Sequence, residues 1–378
     1  MIKIAQHIYR FIKYKNQRKK IFREFKINPE QNKLLHQNFL PTTKKLIVFL
    51  IPGADWNTGK ETMSGGSISI VSICEETQRL FDDNNEIAVI LCTQNGDNSL
   101  LKYNNFNNNT LVYRFNQVHQ FFNNLDEIII HIPDYMAKLF KQSLSQKELF
   151  YLSKIPKVHI NIMNQNIRLM PIPNEIETLK SITPLVTITT AHQQYCTQHY
   201  SNYFNVPVHK LSVWISPEQY VFKQKEDKEN LLIYSPDPHP EKENIIKKLG
   251  EIKGLRLQMI ENLTYTQFKE TISRAKWALT FGEGLDGYIL EPIFSGAIGF
   301  AVYNDEFFTP KFQSLKTIYP NYDAMLGNIV NDIKVLDNNT ANFNQYQHQQ
   351  FNVCEELYSS KVYKQNIQKF YNHQFTFQ

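Results

Sequence analysis

The stretch FGEGLDGYILEPIFSGAIGFAVYND, residues 281–305, decides the fold of this chain of 378 residues. It follows an apolar run at residues 277–281 that has the composition of a buried strand. Three glycines then interrupt the pattern, and the residues from Tyr288 have helical periodicity. A strand, a glycine turn and a helix in this order are typical of a Rossmann-like unit, in which the helix begins beside the carboxyl end of the strand.

The glycine turn has the composition of a ligand site. Small residues let the backbone approach a ligand closely, and the first N–H groups of a helix attract anions such as a diphosphate. Glu283 and Glu291 lie eight positions apart, one in the loop and one in the helix, so both carboxylates can face one pocket and accept hydrogen bonds from sugar hydroxyls. The candidate ligand-binding residues are Gly282, Gly284, Gly287 and Tyr288, together with the two glutamates.

Strand patterns alternate with helical patterns along the rest of the chain. Strands are predicted at residues 45–51, 86–92, 110–115, 127–132, 157–162 and 185–189, and then at 231–234, 255–260, 277–281 and 299–303. Such alternation predicts two α/β, Rossmann-like domains that face a central cleft. The predicted division is a basic leader helix at 1–40, an acceptor domain at 41–217, a nucleotide-binding donor domain at 218–340 and a helical tail at 341–378.

The net charge of +5 is concentrated in the leader. Ten Lys and Arg and two Glu give residues 1–40 a charge of +8, which leaves −3 for the rest of the chain. A nucleic-acid-binding domain normally has a positive folded body, so nucleic acid is not expected as a partner. The four cysteines form neither a CxxC pair nor a His/Cys cluster at zinc-ligand spacing, which favours a reducing cytoplasm.

The leader has the pattern of a basic amphipathic helix. Apolar residues recur at helical spacing from Ile4 to Ile12, and the helix is expected to reach about Phe25. Residues 1–25 can lie on an anionic membrane surface, and the alternative is a solvated helix packed on the next domain. No run approaches the ~18 consecutive apolar residues of a membrane span. We therefore expect a cytoplasmic protein, with peripheral attachment to the inner face of the cell membrane left open.

The glutamate pair resembles a motif of the retaining GT-B glycosyltransferases. That family carries Glu, seven residues and Glu, typically as E-G-F-G-x-x-x-x-E-A, with a Gly five residues after the second Glu. The present motif is EGLDGYILEP, residues 283–292, and Gly296 stands at the fifth position. Asp286, Pro292 and Ile298 replace the usual Gly, Ala and Pro. The form GEGLDGYxxEP is similar to a subgroup from bacterial capsule and O-antigen clusters.

The resemblance implies transfer of a sugar, with retention, from a nucleoside-diphosphate sugar to a hydroxyl of a glycan or lipid-linked acceptor. It implies that Glu283 contacts the donor sugar as a catalytic residue and that Glu291 binds the nucleotide ribose. Lys242 matches the family's phosphate-binding Lys, which would stabilise the departing diphosphate. The family's preceding Arg is missing, so either another cation, Arg274 or Lys276, replaces it, or the helix dipole and Lys242 suffice. No metal or other cofactor is expected, because no DxD sequence stands at a strand end.

Four residues of the N-terminal half are further candidates. Gly65 and Gly66 stand between a strand and a helix, where the family has a Gly-rich loop near the donor phosphate and the acceptor, and the alternative for a lone Gly-Gly is a tight turn. His131, in IIIHIPDY, matches a family histidine beside the reacting sugar and is a catalytic candidate, with a structural histidine as the alternative. His192 is an acceptor-side candidate of the same kind.

Two other functions stay open at this point. A nucleotide-sugar epimerase has the same two-domain fold and would have a similar nucleotide pocket. A non-catalytic scaffold with this fold is favoured by the missing Arg and opposed by the intact pair Glu283 and Glu291.

Overall fold

The computed structural model describes residues 15–40, 42–55, 58–62, 64–104, 110–212 and 215–378. These residues form two compact units, which meet along the chain at Leu211 and Ser212. The first unit also contains Asn366–Gln378, and the second also contains His192–Gln194. Each unit is built on a largely parallel sheet, which confirms the predicted α/β class with two Rossmann-like units.

The first unit has an eight-stranded sheet of order β3-β4-β2-β1-β5-β6-β7-β8. Among the described strands of this sheet, only the β3–β4 pair is antiparallel. The central strands read as continuous apolar runs because helices cover both faces of the sheet. The strands are β1 (Lys45–Ile51), β2 (Ile87–Thr93), β3 (Lys102–Tyr103), β4 (Thr110–Arg114), β5 (Glu127–Pro133), β6 (Lys157–Asn164), β7 (Leu185–Thr190) and β8 (Val208–Lys210).

The helices of the first unit begin with the leader. They are α1 (Lys15–Asn38), α2 (Gly65–Phe81), α3 (Phe115–Phe121), α4 (Phe140–Ser143), α5 (Gln146–Leu152), α6 (Pro173–Lys180) and α7 (Gln198–Phe204). The expected end of the leader helix near Phe25 is wrong, since α1 continues through Pro29 to Asn38. Contacts of its second half explain the difference: Gln31 Nε2 donates to the carbonyls of Leu100 and Val112 at 3.0 and 2.7 Å. The predicted apolar residues Ile4 to Ile12 lie outside the described residues.

The second unit has a five-stranded parallel sheet of order β10-β9-β11-β12-β13. Its strands are β9 (Glu229–Tyr234), β10 (Arg256–Met259), β11 (Ala275–Leu279), β12 (Ile298–Val302) and β13 (Ile318–Tyr319). Its helices are α8 (Lys242–Gly250), α9 (Tyr265–Arg274), α10 (Gly287–Phe294), α11 (Tyr322–Asp337) and α12 (Thr340–Leu357). The last helix, α13 (Ser360–Tyr371), begins in this unit and ends in the first. Within the described ranges, no helix is both long and apolar enough to cross a membrane.

Candidate functional site

The strand order of the second unit reverses between β9 and β11. Ligands of doubly wound sheets bind outside the carboxyl ends of the strands at such a reversal. The loops that leave the two strands are tied together there: Ser235 N donates to the carbonyl of Leu279 at 3.0 Å, and Ser235 Oγ accepts a hydrogen bond from Phe281 N at 2.9 Å. The predicted glycine turn therefore begins at the place in this unit where the fold favours a ligand.

Two of the predicted glycines are required by close contacts. A Cβ atom at Gly282 would lie 2.8 Å from Oδ2 of Asp237 and 3.0 Å from Oδ2 of Asp286. Gly284 has a φ of +96°, and a Cβ atom there would collide with the ring of Phe308. Glycine at these positions lets two carboxylates and an aromatic ring approach the backbone of the turn.

Asp286 caps the helix that was expected to bind an anion. Its Oδ1 accepts a hydrogen bond from Tyr288 N at 2.9 Å, and its Oδ2 accepts one from Thr280 Oγ1 at 2.7 Å. An aspartate is a favoured N-cap because it satisfies an N–H group that has no partner within the helix. The sequence interpretation of this helix end as a ready anion site therefore needs correction, since the protein's own carboxylate already lies there.

The turn carries several acidic groups close together. The pKa of Asp286 is raised to about 6, chiefly by burial, with the charges of Asp237 and Glu283 acting in the same direction and the hydrogen bond from Thr280 in the opposite one. Glu283 itself is half-buried. Asp237 was not predicted as a site residue, although a polar residue just after β9 could have been noticed once the strand order was known. The negative potential of these carboxylates favours the binding of hydroxyl groups over the binding of an anion that has no cation beside it.

Lys242, the predicted phosphate ligand, is the first residue of α8 and lies beside the turn. Its Nζ donates to the carbonyls of Ser235 and Asp237 at 2.9 and 3.0 Å and lies 5.5 Å from the centroid of the Phe281 ring. Burial lowers the pKa of Lys242, and the charges of Asp237 and Glu261 act in the opposite direction. Lys242 is thus a cation at the carboxyl ends of β9 and β11.

The two proposed substitutes for the missing Arg are at the other edge of this sheet. Arg274 Nη1 lies 3.3 Å from Oε1 of Glu229, the first residue of β9. Lys276 Nζ lies 3.0 Å from Oδ1 of Asp337, at the end of α11. Both side chains pair at the amino ends of β9 and β11, so the idea that either one replaces the Arg is wrong.

Glu291, the predicted ribose ligand, is enclosed by aromatic hydroxyl groups. It is only 5% exposed, and its Oε2 accepts a hydrogen bond from Tyr265 Oη at 3.1 Å. The hydroxyl of Tyr220 lies 3.2 Å from that of Tyr265. The other carboxylate oxygen, Oε1 of Glu291, lies over Gly287, and a Cβ atom at Gly287 would be 2.7 Å from it. The pKa of Glu291 is raised to about 8, chiefly by burial, although both tyrosine hydroxyls lower it, so the site favours the neutral acid more than water does.

Lys269 is a second cation of this site that the sequence did not indicate. Its Nζ lies 5.4 and 5.3 Å from the ring centroids of Tyr220 and Tyr265. Burial lowers the pKa of Lys269, and the charge of Glu291 raises it. Tyr220 and Lys269 lie outside the glutamate motif in sequence. The packing of α9 on α10 brings Lys269 to Glu291, and the contact with Tyr265 adds Tyr220.

The remaining residues of the motif have well-defined places. Tyr288 is half-buried, and its ring packs edge-on against Phe268 with the centroids 6.3 Å apart. Gly296 has a φ of +90° and ends α10, with Gly296 N donating to the carbonyl of Ile293 at 3.0 Å. Its role is that of a helix-terminating glycine. Within the described residues, no three His, Cys, Asp or Glu side chains are arranged to hold a metal ion.

His131, the catalytic candidate of the first unit, is buried within β5. Asn161 Nδ2 donates to its Nδ1 at 3.0 Å, and its Nε2 shares a hydrogen bond with the hydroxyl of Tyr371 at 3.0 Å. Its ring stacks on Phe49 with the centroids 4.2 Å apart. Burial lowers the pKa of His131 well below its usual range. The side chain cannot reach a substrate without opening this core, and the structural alternative accounts for every contact.

Gly65 and Gly66 are the first residues of α2. The preceding Ser64 caps the helix, since its Oγ accepts a hydrogen bond from Ser67 N at 3.1 Å. A Cβ atom at Gly65 would meet nothing within 4 Å, and one at Gly66 would be in ordinary contact with Gln165 at 3.7 Å. Neither glycine is demanded by the protein's own packing.

His192 belongs to the second unit and lies near the loop after β12. Its ring packs edge-on against Phe307 with the centroids 5.5 Å apart. Two residues further on, Gln194 Nε2 donates to the carbonyl of Phe308 at 2.9 Å. Phe308 is also the residue that contacts Gly284. His192 therefore contacts the same loop that brings Phe308 against the glycine turn.

Comparisons with known proteins reveal similarity at the level of structure alone. No protein-family model matches the chain, and no curated protein matches it in sequence. A glycosylation-associated protein (Gap123) complex from Streptococcus agalactiae is similar with a TM-score of 0.42 and 11% identity, over 65% of this chain. The chain spans about half (54%) of that protein. UDP-N-acetylglucosamine 2-epimerase from Rickettsia bellii is similar with a TM-score of 0.42 and 11% identity, over 88% of this chain and 98% of that one. At this TM-score neither similarity bears on what the chain does.

Proposed function

We propose that the chain is a glycosyltransferase that moves a sugar from a nucleoside-diphosphate sugar to an acceptor hydroxyl. The observation that carries this proposal is that three elements lie where the strand order reverses between β9 and β11. They are Lys242, the turn of Glu283 and the helix of Glu291. This is the position where a doubly wound sheet binds a nucleotide. The resemblance of residues 283–292 to the GT-B motif supports the same reading.

In this proposal the cation and the carboxylates of the glycine turn bind different parts of the donor. Lys242 would accompany the diphosphate as charge develops on the departing group, because Asp286 already caps α10. Glu283 and Asp237 would accept hydrogen bonds from sugar hydroxyls. In the transfer step the bond from the anomeric carbon to the diphosphate oxygen breaks and a bond to the acceptor oxygen forms. The acceptor proton is released, and retention of configuration follows from the resemblance.

The finer parts of the proposal come from the motif subgroup. The acceptor would be a glycan or a lipid-linked glycan, and the pathway would be the synthesis of a bacterial surface polysaccharide such as capsule or O-antigen. The reaction would take place in the cytoplasm, with neither a metal nor nucleic acid taking part. The identity of the base and of the sugar is left to experiment.

A thermal-shift screen of the full chain with UDP, GDP, dTDP, CMP and their sugars tests the proposal. We expect one nucleotide and its sugar to raise the melting temperature, and we expect release of the nucleotide only when an acceptor glycan is added. Glu283→Gln should bind the donor with little change and lose turnover, whereas the exposed Glu243→Gln should keep both donor binding and turnover. Conversion of the sugar without an acceptor would identify an epimerase, and the absence of any shift would refute the proposal.

A non-catalytic scaffold is the second candidate, and two contacts favour it. Asp286 lies where the helix end would meet a phosphate, and Tyr265 holds Glu291 where a ribose would be held. Both contacts reduce the capacity of the site for a nucleotide. This candidate predicts a stable protein without nucleotide affinity, so the same screen separates the two functions.

A further inference from the structure

Arg23 and Glu24 of α1 place charged side chains against the rest of the first unit. The guanidinium of Arg23 lies against Gly59, and its Nη1 donates to the carbonyl of Asp55 at 3.5 Å. Glu24 Oε1 lies 3.6 Å from Nη1 of Arg114, which is itself buried. These contacts fix the rotation of the helix about its axis.

The opposite side of α1 presents two phenylalanines to solvent. Phe22 is 60% exposed and Phe25 is 80% exposed, whereas most of the described aromatic side chains of the first unit are buried or half-buried. Residues three apart in a helix lie on one face, so the two rings are neighbours. Lys26 and Lys33 are exposed as well. The usual amphipathic arrangement is thus reversed in this stretch, with an ion pair turned inward and aromatic rings turned outward.

The charge of this helix identifies the chemistry of a partner. Residues 15–33 contain seven Lys and Arg and two Glu. Of these, Arg23 and Glu24 face the protein, where Arg23 donates to Asp55 and Glu24 pairs with Arg114, whereas Lys26 and Lys33 are exposed. Phenylalanine rings among cations are the composition of segments that lie at the boundary between lipid headgroups and acyl chains. An anionic bilayer complements both features, because each exposed cation near its surface contributes about 1 kcal/mol.

We propose that one face of α1 binds the surface of an anionic lipid bilayer. This face, called the Phe22–Phe25 face, consists of Phe22, Phe25, Lys26 and Lys33. The two rings enter the headgroup region while the lysines contact lipid phosphates. This surface is independent of the proposed sugar transfer, and it differs from the apolar residues Ile4 to Ile12 that the sequence suggested. It also implies that deleting residues 1–25 removes the Arg23 and Glu24 contacts together with the surface, so point variants are the better test.

Co-sedimentation of the full chain with vesicles tests the Phe22–Phe25 face. The probes are vesicles of phosphatidylcholine alone and of phosphatidylcholine mixed with phosphatidylglycerol. We expect binding to the mixed vesicles only, weakened by high salt. The double variant Phe22→Ser/Phe25→Ser should bind at least about tenfold more weakly, because two apolar rings lose their burial in lipid.

Phe150→Ser is the matched control, because Phe150 is another phenylalanine of this unit, 64% exposed and with Lys154 Nζ 4.9 Å from its ring centroid. It should bind vesicles as the unaltered chain does, and both variants should keep the melting temperature. Equal vesicle binding by the double variant and the unaltered chain would overturn the proposal. So would binding to neither vesicle, or a dimer that the double variant abolishes, since the face would then serve a protein contact.

Discussion

The hydroxyl of Tyr265 donates a hydrogen bond of 3.1 Å to Oε2 of Glu291. The carboxyl group that the motif assigns to a ribose is therefore already held by a side chain from the neighbouring helix. A ribose that binds Glu291 has to replace this hydroxyl or share the carboxyl with it. Water is largely excluded from this contact, because Glu291 is buried. The burial raises the pKa of the Glu291 carboxyl group.

Glu291→Gln should stabilise the second unit at alkaline pH. The pKa of Glu291 is about 8 in the folded chain, against 4.5 for an ordinary glutamate, so the folded state binds more protons between these values. Native stability then falls as pH rises through this window, by at most about 1.4 kcal/mol per pH unit. Glutamine resembles the neutral acid and does not titrate. Melting temperatures across this pH range should show a growing advantage for Glu291→Gln, whereas the exposed Glu243→Gln should show a constant difference. If the difference in melting temperature between Glu291→Gln and the unaltered chain did not change with pH, burial would not raise the pKa of Glu291.

Gly282→Ala should distort the turn between the two aspartates. The new methyl group would lie 2.8 and 3.0 Å from carboxylate oxygens of Asp237 and Asp286, and such overpacking costs about 1–3 kcal/mol. A reduced urea midpoint and weaker nucleotide binding are expected. Gly250→Ala is the control, because Gly250 ends α8 with nothing within 4 Å of the added carbon. If both variants unfold at the same urea concentration, the turn accommodates a methyl group at residue 282 without overpacking.

Lys242→Gln should weaken binding of the nucleotide found in the thermal-shift screen. Loss of one charge-assisted contact to phosphate corresponds to roughly a tenfold increase in Kd. Calorimetry should show this loss, while Arg274→Gln should retain affinity because Arg274 pairs with Glu229 at the other edge of the sheet. Lys242 also closes the loop through the carbonyls of Ser235 and Asp237, so the melting temperature without ligand is the check on folding. Unchanged affinity in Lys242→Gln would remove this residue from the site.

His159→Gln should make the first unit less sensitive to acid. His159 is fully buried, and burial lowers its pKa to about 3, against 6.5 for an ordinary histidine. Within the described structure its Nδ1 has no hydrogen-bond partner, and its ring stacks on Phe370 of α13. The unfolded chain binds the extra proton, so stability present above pH 6.5 is lost as pH falls toward 3. The slope of the melting temperature against pH should decrease in His159→Gln and stay unchanged in His348→Gln, an exposed site. Equal slopes in all three proteins would contradict this assignment.

The positions of most strands follow from local pattern. The runs at residues 45–51 and 127–132 lie almost entirely within β1 and β5 because a strand buried on both faces has to be continuously apolar. The order of strand, glycine turn and helix at 277–294 follows in the same way. The end of the leader helix could not be predicted, since Gln31 is held by carbonyls of residues some 70 and 80 positions away.

The glycine turn and the glutamate pair of the candidate site could be read from the sequence, but their contacts and the neighbouring residues Asp237, Tyr265 and Lys269 could not. The sequence by itself determined the alternation of strands and helices, the glycines of the turn and the spacing of Glu283 and Glu291, because each depends on neighbours along the chain. Only the tertiary structure decided that Asp286 caps α10, that Tyr265 holds Glu291 and that His131 is enclosed by Tyr371. Burial and hydrogen bonding between distant segments depend on which strands pair and which helix faces meet, and that information is absent from any local window of sequence.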